Sequence, residues 1–196
     1  MWAELRQTLP KQLLVPVARQ LARTGITPNT LTILGFLLNI VTAAIIASDR
    51  LLIGGILILV SGLFDMLDGA LARASGQSTR FGALLDSTLD RYSEAAILAG
   101  LLWVFVQRSA NTEILLVFFT IVGSLLISYV RARAEGLGLD CKVGLLTRPE
   151  RIVILALGLI LNQPTAMLWV LALLTNFTAL QRLVYVWQKT KDDPRA

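Results

Sequence analysis

Histidine is absent from this 196-residue chain, and cysteine occurs once, at Cys141. The first absence excludes an imidazole base and any histidine-ligated metal. The second excludes an internal disulfide and a cysteine cage for zinc. Charge is scarce as well: 16% of residues are Asp, Glu, Lys or Arg, against about a quarter in a soluble domain. Whatever chemistry the chain performs falls to carboxylates, arginines, lysines and hydroxyls, with or without a hard metal ion.

What is present is apolar. Hydrophobic residues make up 55% of the chain, and mean hydropathy is +0.68. A spanning helix needs about 20 mostly apolar residues, and six segments qualify as candidates, at about 31–48, 52–74, 81–107, 112–134, 149–162 and 165–187. The fifth is short if only its apolar part counts. These segments use up the length, so one membrane domain covering 1–196 is expected, without internal repeats. The expected fold is all-α and integral to the membrane, with six transmembrane helices. An amphipathic surface helix at about 2–22 would precede them, placing Trp2, Leu5, Leu13, Leu14, Val17 and Leu21 in lipid. Pro10, Pro16 and the basic residues among them leave no cleavable signal peptide to be expected there.

Net charge is +5 and the isoelectric point about 9.9. The basic residues flank apolar stretches, so anionic lipid headgroups rather than nucleic acid are the expected partners. Alternate connections are basic: Arg6, Lys11, Arg19 and Arg23; then Arg73 and Arg80; then Arg131 to Arg151; then Arg182 onward. The opposite side carries Arg50 and Arg108. The positive-inside rule then puts both termini in the cytoplasm of a multi-pass protein of the cell membrane.

Four aspartates break the apolar pattern: Asp65 and Asp68 in the second segment, Asp86 and Asp90 in the third. An Asp at a helix centre costs about 2.5–3.5 kcal/mol on insertion, so these residues should face a polar cavity and mark a functional site. At about 100° per residue, and with Asp65 at zero, Asp68 falls near −60°, Gly69 near +40°, Ala72 near −20° and Arg73 near +80°. Gly82, Asp86 and Asp90 recur every fourth residue and form one stripe. The two segments are expected to be antiparallel neighbours, which lets four carboxylates converge. Carboxylates that close do not all stay ionised without a counter-charge. All-oxygen ligation favours Mg²⁺ or Mn²⁺, and four carboxylates suit two such ions, an arrangement fitted to phosphoryl displacement. The plainer alternative is structural pairing of these aspartates with Arg73, Arg80 and Arg91. An alternative from another class is a cation transporter with an acidic intramembrane site, but that leaves the small residues and Arg73 at their spacing unexplained.

At these residues the chain resembles the CDP-alcohol phosphotransferase (CDP-alcohol phosphatidyltransferase) family. The family signature, D-x2-D-G-x2-A-R-x8-G-x3-D-x3-D, is met at Asp65, Asp68, Gly69, Ala72, Arg73, Gly82, Asp86 and Asp90. The resemblance implies an enzyme of phospholipid biosynthesis that moves the phosphatidyl group of CDP-diacylglycerol to an alcohol and releases CMP. It implies that Asp65, Asp68, Asp86 and Asp90 bind metal and that Asp90 also serves as general base. It further implies CDP-lipid contacts from Gly69, Arg73 and Thr79, and from Asn29 and Thr32 at the start of the first span. A homodimer is implied too.

The acceptor is addressed by a third basic cluster. Arg131 and Arg133 end the fourth segment, and Thr147-Arg148-Pro149-Glu150-Arg151 begins the fifth. Thr147 and Glu150 have capping-box spacing, and a capped helix N-terminus suits phosphate. Arg148 and Arg151 are three apart and share a face. Arg131 and Arg133 are two apart, so one faces elsewhere, with Arg133 favoured for the pocket. Together these four arginines form a candidate acceptor-phosphate site, pointing to inositol phosphate or glycerol phosphate. The run Phe64–Gly69, Asp90-Arg91, Ser128-Tyr129 and Arg148–Arg151 resembles the phosphatidylinositol-phosphate synthase branch of the family. That branch often has Lys at position 131 and Glu at position 147, where this chain has Arg and Thr. A phosphatidylglycerophosphate synthase typically reads D-P-x-A-D-K at the last two aspartates; this chain reads Asp86-Ser87-Thr88-Leu89-Asp90-Arg91. Phosphatidylglycerophosphate synthesis and an archaetidylinositol-phosphate-type reaction with an ether lipid donor are the alternatives.

Overall fold

A computed structural model describes residues 26–76 and 79–191. The proposed surface helix at 2–22 lies outside them. Among the described residues there are six α-helices and no strand: α1 (Pro28–Ala47), α2 (Leu51–Ser75), α3 (Arg80–Gln107), α4 (Asn111–Gly136), α5 (Arg148–Ile160) and α6 (Pro164–Thr190).

Local chemistry sets the helix ends. Thr27 caps α1, accepting a hydrogen bond from the Thr30 amide (3.2 Å), with Pro28 in the first turn. Thr79 caps α3 by accepting from the Gly82 amide (2.9 Å). The Thr147 amide donates to the Glu150 carboxylate (2.9 Å), the reciprocal half of the capping box that starts α5. Gly76 ends α2 in the left-handed region (φ 67°), which glycine adopts without the Cβ clash. At the other end of the molecule three non-glycine residues hold that conformation: Asp49, Ser109 and Asn162. Asp49 is fixed further by Arg108, whose Nη2 lies 2.6 Å from its carboxylate and ties two turns together.

The helices close into a ring. Close packing joins α1 to α2, α2 to α5, α5 to α6, α6 to α4, α4 to α3 and α3 back to α1. Glycines permit several of these seams: a Cβ on Gly100 of α3 would collide with the Ala43 carbonyl of α1, and one on Gly55 of α2 would sit 2.8 Å from the Ala156 carbonyl of α5. The α2–α3 pair is not among the close contacts, which differs from the expected neighbour packing. The reason is α1, which packs between them.

The ring has two unlike ends. One apolar cluster draws on the C-terminal half of α1 (Ile46), the start of α2 (Leu51, Ile58), the end of α3 (Leu101, Phe105), the start of α4 (Leu116, Val117), the end of α5 (Leu159) and the start of α6 (Met167, Leu168). The opposite helix ends carry the aspartates and arginines. The outer face is apolar, with Leu34, Leu37, Leu63, Phe118, Leu173 and Leu180 exposed. A soluble fold does not leave so many large apolar side chains in water.

Among the described residues, four helices are long and apolar enough to cross a membrane: α1, α2 over Leu51–Arg73, α4 and α6. α3 has the length, at 28 residues, but the stretch from its start to Glu94 carries Arg80, Asp86, Asp90, Arg91 and Glu94. α5 has 13 residues, about 20 Å at 1.5 Å per residue, short of a hydrocarbon core of about 30 Å.

α3 and α5 are joined by a buried ion pair. Arg151 donates from Nε and Nη2 to the two oxygens of Glu94 at 2.7 and 2.6 Å, with side chains 3% and 8% exposed. Breaking such a pair from one side strands a buried charge. Glu94→Ala should destabilise the protein by about 3–5 kcal/mol, seen as a fall of the thermal midpoint in detergent on the order of 10 °C. Glu94→Met with Arg151→Met should recover most of that loss.

Candidate active site

The four aspartates stand at the polar end of the ring, at the C-terminal part of α2 and the N-terminal part of α3. Asp65 packs beside Gly35 of α1, where a Cβ would come within 3.5 Å of its Oδ1. Asp68 is buried and accepts a hydrogen bond from Thr32 Oγ1 (3.0 Å), whose hydroxyl also reaches the Pro28 carbonyl. Asp65 and Asp90 are linked through Arg148 of α5. Its Nη2 lies 2.7 Å from Asp65 Oδ2, and its Nη1 lies 2.6 Å from Asp90 Oδ2. One guanidinium therefore bridges two helices that do not pack on each other. Among the described residues, the carboxylates are not gathered into a ready group of three metal ligands as they stand. The cation between them is Arg148.

Two cavities adjoin this cluster. The smaller, about 130 Å³, lies between α1, α2 and α3 and is lined by Pro28, Asn29, Thr32, Asp68, Gly69, Ala72, Thr79, Gly82, Ala83 and Asp86. It brings together Asn29, Thr32, Gly69 and Thr79 from three separate stretches of sequence. Gly82 is needed for that approach: a Cβ there would stand 2.9 Å from Asn29 Oδ1 and 3.0 Å from Thr79 Oγ1. Arg73 is exposed and outside the lining, but its guanidinium folds back over Gly69, 3.4 Å from where a Cβ would be.

The larger cavity, about 330 Å³, lies on the other side of Asp90. Five arginines line it, Arg91, Arg131, Arg148, Arg151 and Arg182, against three carboxylates, Asp90, Glu94 and Glu135. That balance favours an anion. Most of these charges are committed. Arg131 pairs with Glu135 one turn on (2.8 Å) and Arg151 with Glu94. Arg91 donates to the Ser87 carbonyl. Arg182 donates from Nε to the Val143 carbonyl (2.8 Å) and from Nη1 to the Ile127 carbonyl (2.7 Å). Gly144, at φ 143°, lets the loop close onto Arg182, since a Cβ would lie 3.1 Å from its Nε. Among the described residues, Arg148 Nε is buried and has no hydrogen-bond partner.

The candidate phosphate arginines thus separate. Arg131, Arg148 and Arg151 reach the cavity, whereas Arg133 is exposed and outside its lining. Of the pair on α4, the cavity is lined by Arg131 and not by the favoured Arg133. On α4 the cavity face runs through Ile127, Ser128, Arg131 and Glu135, and a residue two positions on points about 200° away. Arg182 and Glu94 were not singled out from the sequence. An ionisable residue inside an otherwise apolar helix was the available signal for both.

Comparison with known proteins identifies relatives over most of the chain. The model of the CDP-alcohol phosphatidyltransferase family matches residues 25–182. A phosphatidylinositol phosphate synthase of Mycobacteroides abscessus is 40% identical over 188 residues, covering 91% of this chain and 84% of that protein. An archaetidylinositol phosphate synthase of Methanothermobacter thermautotrophicus is 39% identical over 187 residues, covering 92% of each. The crystal structure of Mycobacterium tuberculosis phosphatidylinositol phosphate synthase with CDP-DAG bound superposes with a TM-score of 0.84 at 37% identity, covering 90% of this chain and 94% of that one. The same mycobacterial protein in complex with manganese and citrate also gives 0.84 at 37% identity, covering 89% and 88%. With a signature complete from Asp65 to Asp90, a family match over most of its length and relatives near 40% identity, the chain belongs to the CDP-alcohol phosphatidyltransferase family.

Proposed function

We propose that this enzyme transfers the phosphatidyl group of CDP-diacylglycerol to inositol phosphate, forming phosphatidylinositol phosphate and releasing CMP. The observation that carries the reading is the meeting of two cavities at the aspartates. One is small-residue-lined and holds the signature positions; the other is rich in arginine. Donor and acceptor would approach from opposite sides of Asp86 and Asp90, which lie one turn apart on α3.

The donor set fits a divalent cation. Four carboxylates face one region without a nitrogen or sulfur ligand, and a guanidinium already bridges Asp65 and Asp90, so these oxygens demand positive charge. Asp65, Asp68, Asp86 and Asp90 would hold two ions of Mg²⁺ or Mn²⁺; manganese is bound by the mycobacterial relative. Bound there, divalent metal supplies positive charge against the diphosphate and the departing CMP. Asn29, Thr32, Gly69, Arg73 and Thr79 would hold the CDP moiety. Gly69 and Gly82 leave room for it against the backbone. Arg131, Arg148 and Arg151 would hold the acceptor phosphate, with Arg182 beside them; Arg133 stands apart. Asp90 lines the acceptor cavity and is positioned to take the proton of the attacking hydroxyl. A bond forms between that oxygen and the lipid-bearing phosphorus. The bond from this phosphorus to the oxygen of CMP breaks.

The reading extends to the whole protein as one domain: six spans with α3 and α5 completing the four unambiguous ones, a surface helix before them, and a homodimer in the cell membrane with cytoplasmic termini. The basic residues at the polar helix ends support that orientation. An archaetidylinositol-phosphate-type reaction has specific support from the archaeal relative and differs in the lipid donor, not the acceptor headgroup.

Asp90→Asn should lower CMP release by about 10²–10⁴-fold while leaving helicity and thermal midpoint close to wild type. Near-normal turnover would remove Asp90 from the role of base. Purified protein with Mg²⁺ and CDP-diacylglycerol should release CMP with inositol phosphate and far less with glycerol phosphate, myo-inositol or serine. Equal release with glycerol phosphate would overturn the acceptor assignment, and preference for a CDP-linked ether lipid would favour the archaeal-type donor.

A further inference from the structure

We propose that Arg148 is exchanged between two partners. It neutralises Asp65 and Asp90 until divalent metal takes those carboxylates, and is thereby handed to the acceptor phosphate. This inference rests on the proposed function above and adds an order of events to it.

Three observations carry it. Arg148 places Nη2 on Asp65 and Nη1 on Asp90, at 2.7 and 2.6 Å, so the oxygens it occupies belong to proposed metal ligands and to the proposed base. The guanidinium holds Oδ2 of each carboxylate, and its positive charge opposes a divalent cation at the same two groups, so the two cations compete for them. Second, the same side chain lines the arginine-rich cavity and carries a buried Nε–H with no acceptor among the described residues. An unpaired buried donor is costly, and an incoming anion would relieve it. Third, the other cavity arginines have partners that metal binding would not displace: Glu135 for Arg131, Glu94 for Arg151, the Ser87 carbonyl for Arg91, and two backbone carbonyls for Arg182. Among the described residues lining this cavity, Arg148 is the arginine whose ion pairs involve the proposed metal ligands.

The exchange couples two binding events. Metal binding frees a phosphate ligand, and by linkage phosphate binding strengthens metal binding. It also keeps Asp90 occupied until the metal is in place, so the base is not exposed to water beside an unprepared donor.

The test uses the full chain in detergent without CDP lipid, titrated calorimetrically with Mn²⁺ and with inorganic phosphate, each alone and in the presence of the other. In the wild type, Mn²⁺ should tighten phosphate binding on the order of tenfold, and phosphate should tighten Mn²⁺ equally. In Arg148→Gln, Mn²⁺ alone should bind more tightly than to wild type, and phosphate affinity should no longer respond to Mn²⁺. Arg80→Gln removes one exposed charge at the start of α3, outside both cavity linings, and should keep the wild-type coupling. Coupling that survives in Arg148→Gln overturns the exchange, because the ions then communicate directly. So does wild-type phosphate affinity that ignores Mn²⁺, which decides the matter even if Arg148→Gln does not fold. Arg148→Lys keeps the charge without the fork and should show reduced coupling; full coupling there also overturns it. CMP release by wild type is scored separately. Release with independent titrations sinks the exchange alone, whereas no release with any acceptor sinks the enzymatic reading.

Discussion

A carboxylate placed among apolar helices needs a counter-charge, and this fold is arranged around supplying it. Asp65 and Asp90 come from helices that are not packed on each other, and a single guanidinium from α5 spans the distance between them. The start of α5 must therefore be held accurately. The capping box of Thr147 and Glu150 fixes its first turn. One turn on, the Arg151–Glu94 pair anchors it to α3. The loop before it is held by Arg182 through the Val143 carbonyl. Each device is modest alone, but together they determine where Arg148 lies.

The helix ring explains how so many charged groups coexist with an apolar exterior. Every helix contributes an apolar end to one cluster and a polar end to the site. Close seams at Gly55 and Gly100 bring backbones together at the apolar end. The polar end stays open because α1 separates α2 from α3, leaving two cavities rather than one packed seam. The small cavity depends on glycine at 69 and 82, and the large one on long side chains that turn away to their own partners.

Much of this was legible beforehand. Helix limits follow from apolar length and from caps, and the six helices lie within a few residues of the expected segments. The aspartate stripes follow from the helical period, because positions three and four apart share a face whatever the tertiary context. Tertiary order was not legible in the same way. Nothing in the spacing of Asp65 and Asp86 says that a third helix lies between their own. Pairings such as Arg151 with Glu94 and Arg182 with Ile127 span 57 and 55 residues, and a local period carries no information at that range. Which of Arg131 and Arg133 lines the cavity was not legible for a related reason: two residues on opposite helix faces are equivalent until the rotation of α4 about its axis is known.

The unlike ends of the ring have a consequence for where newly made lipid goes. The apolar cluster plugs one end with Ile46, Leu101, Leu116, Leu159 and Leu168, so no polar headgroup passes through the middle of the protein. On the proposed reading, donor and product headgroups are both handled at the open end, and the product is left in the leaflet that delivered the donor.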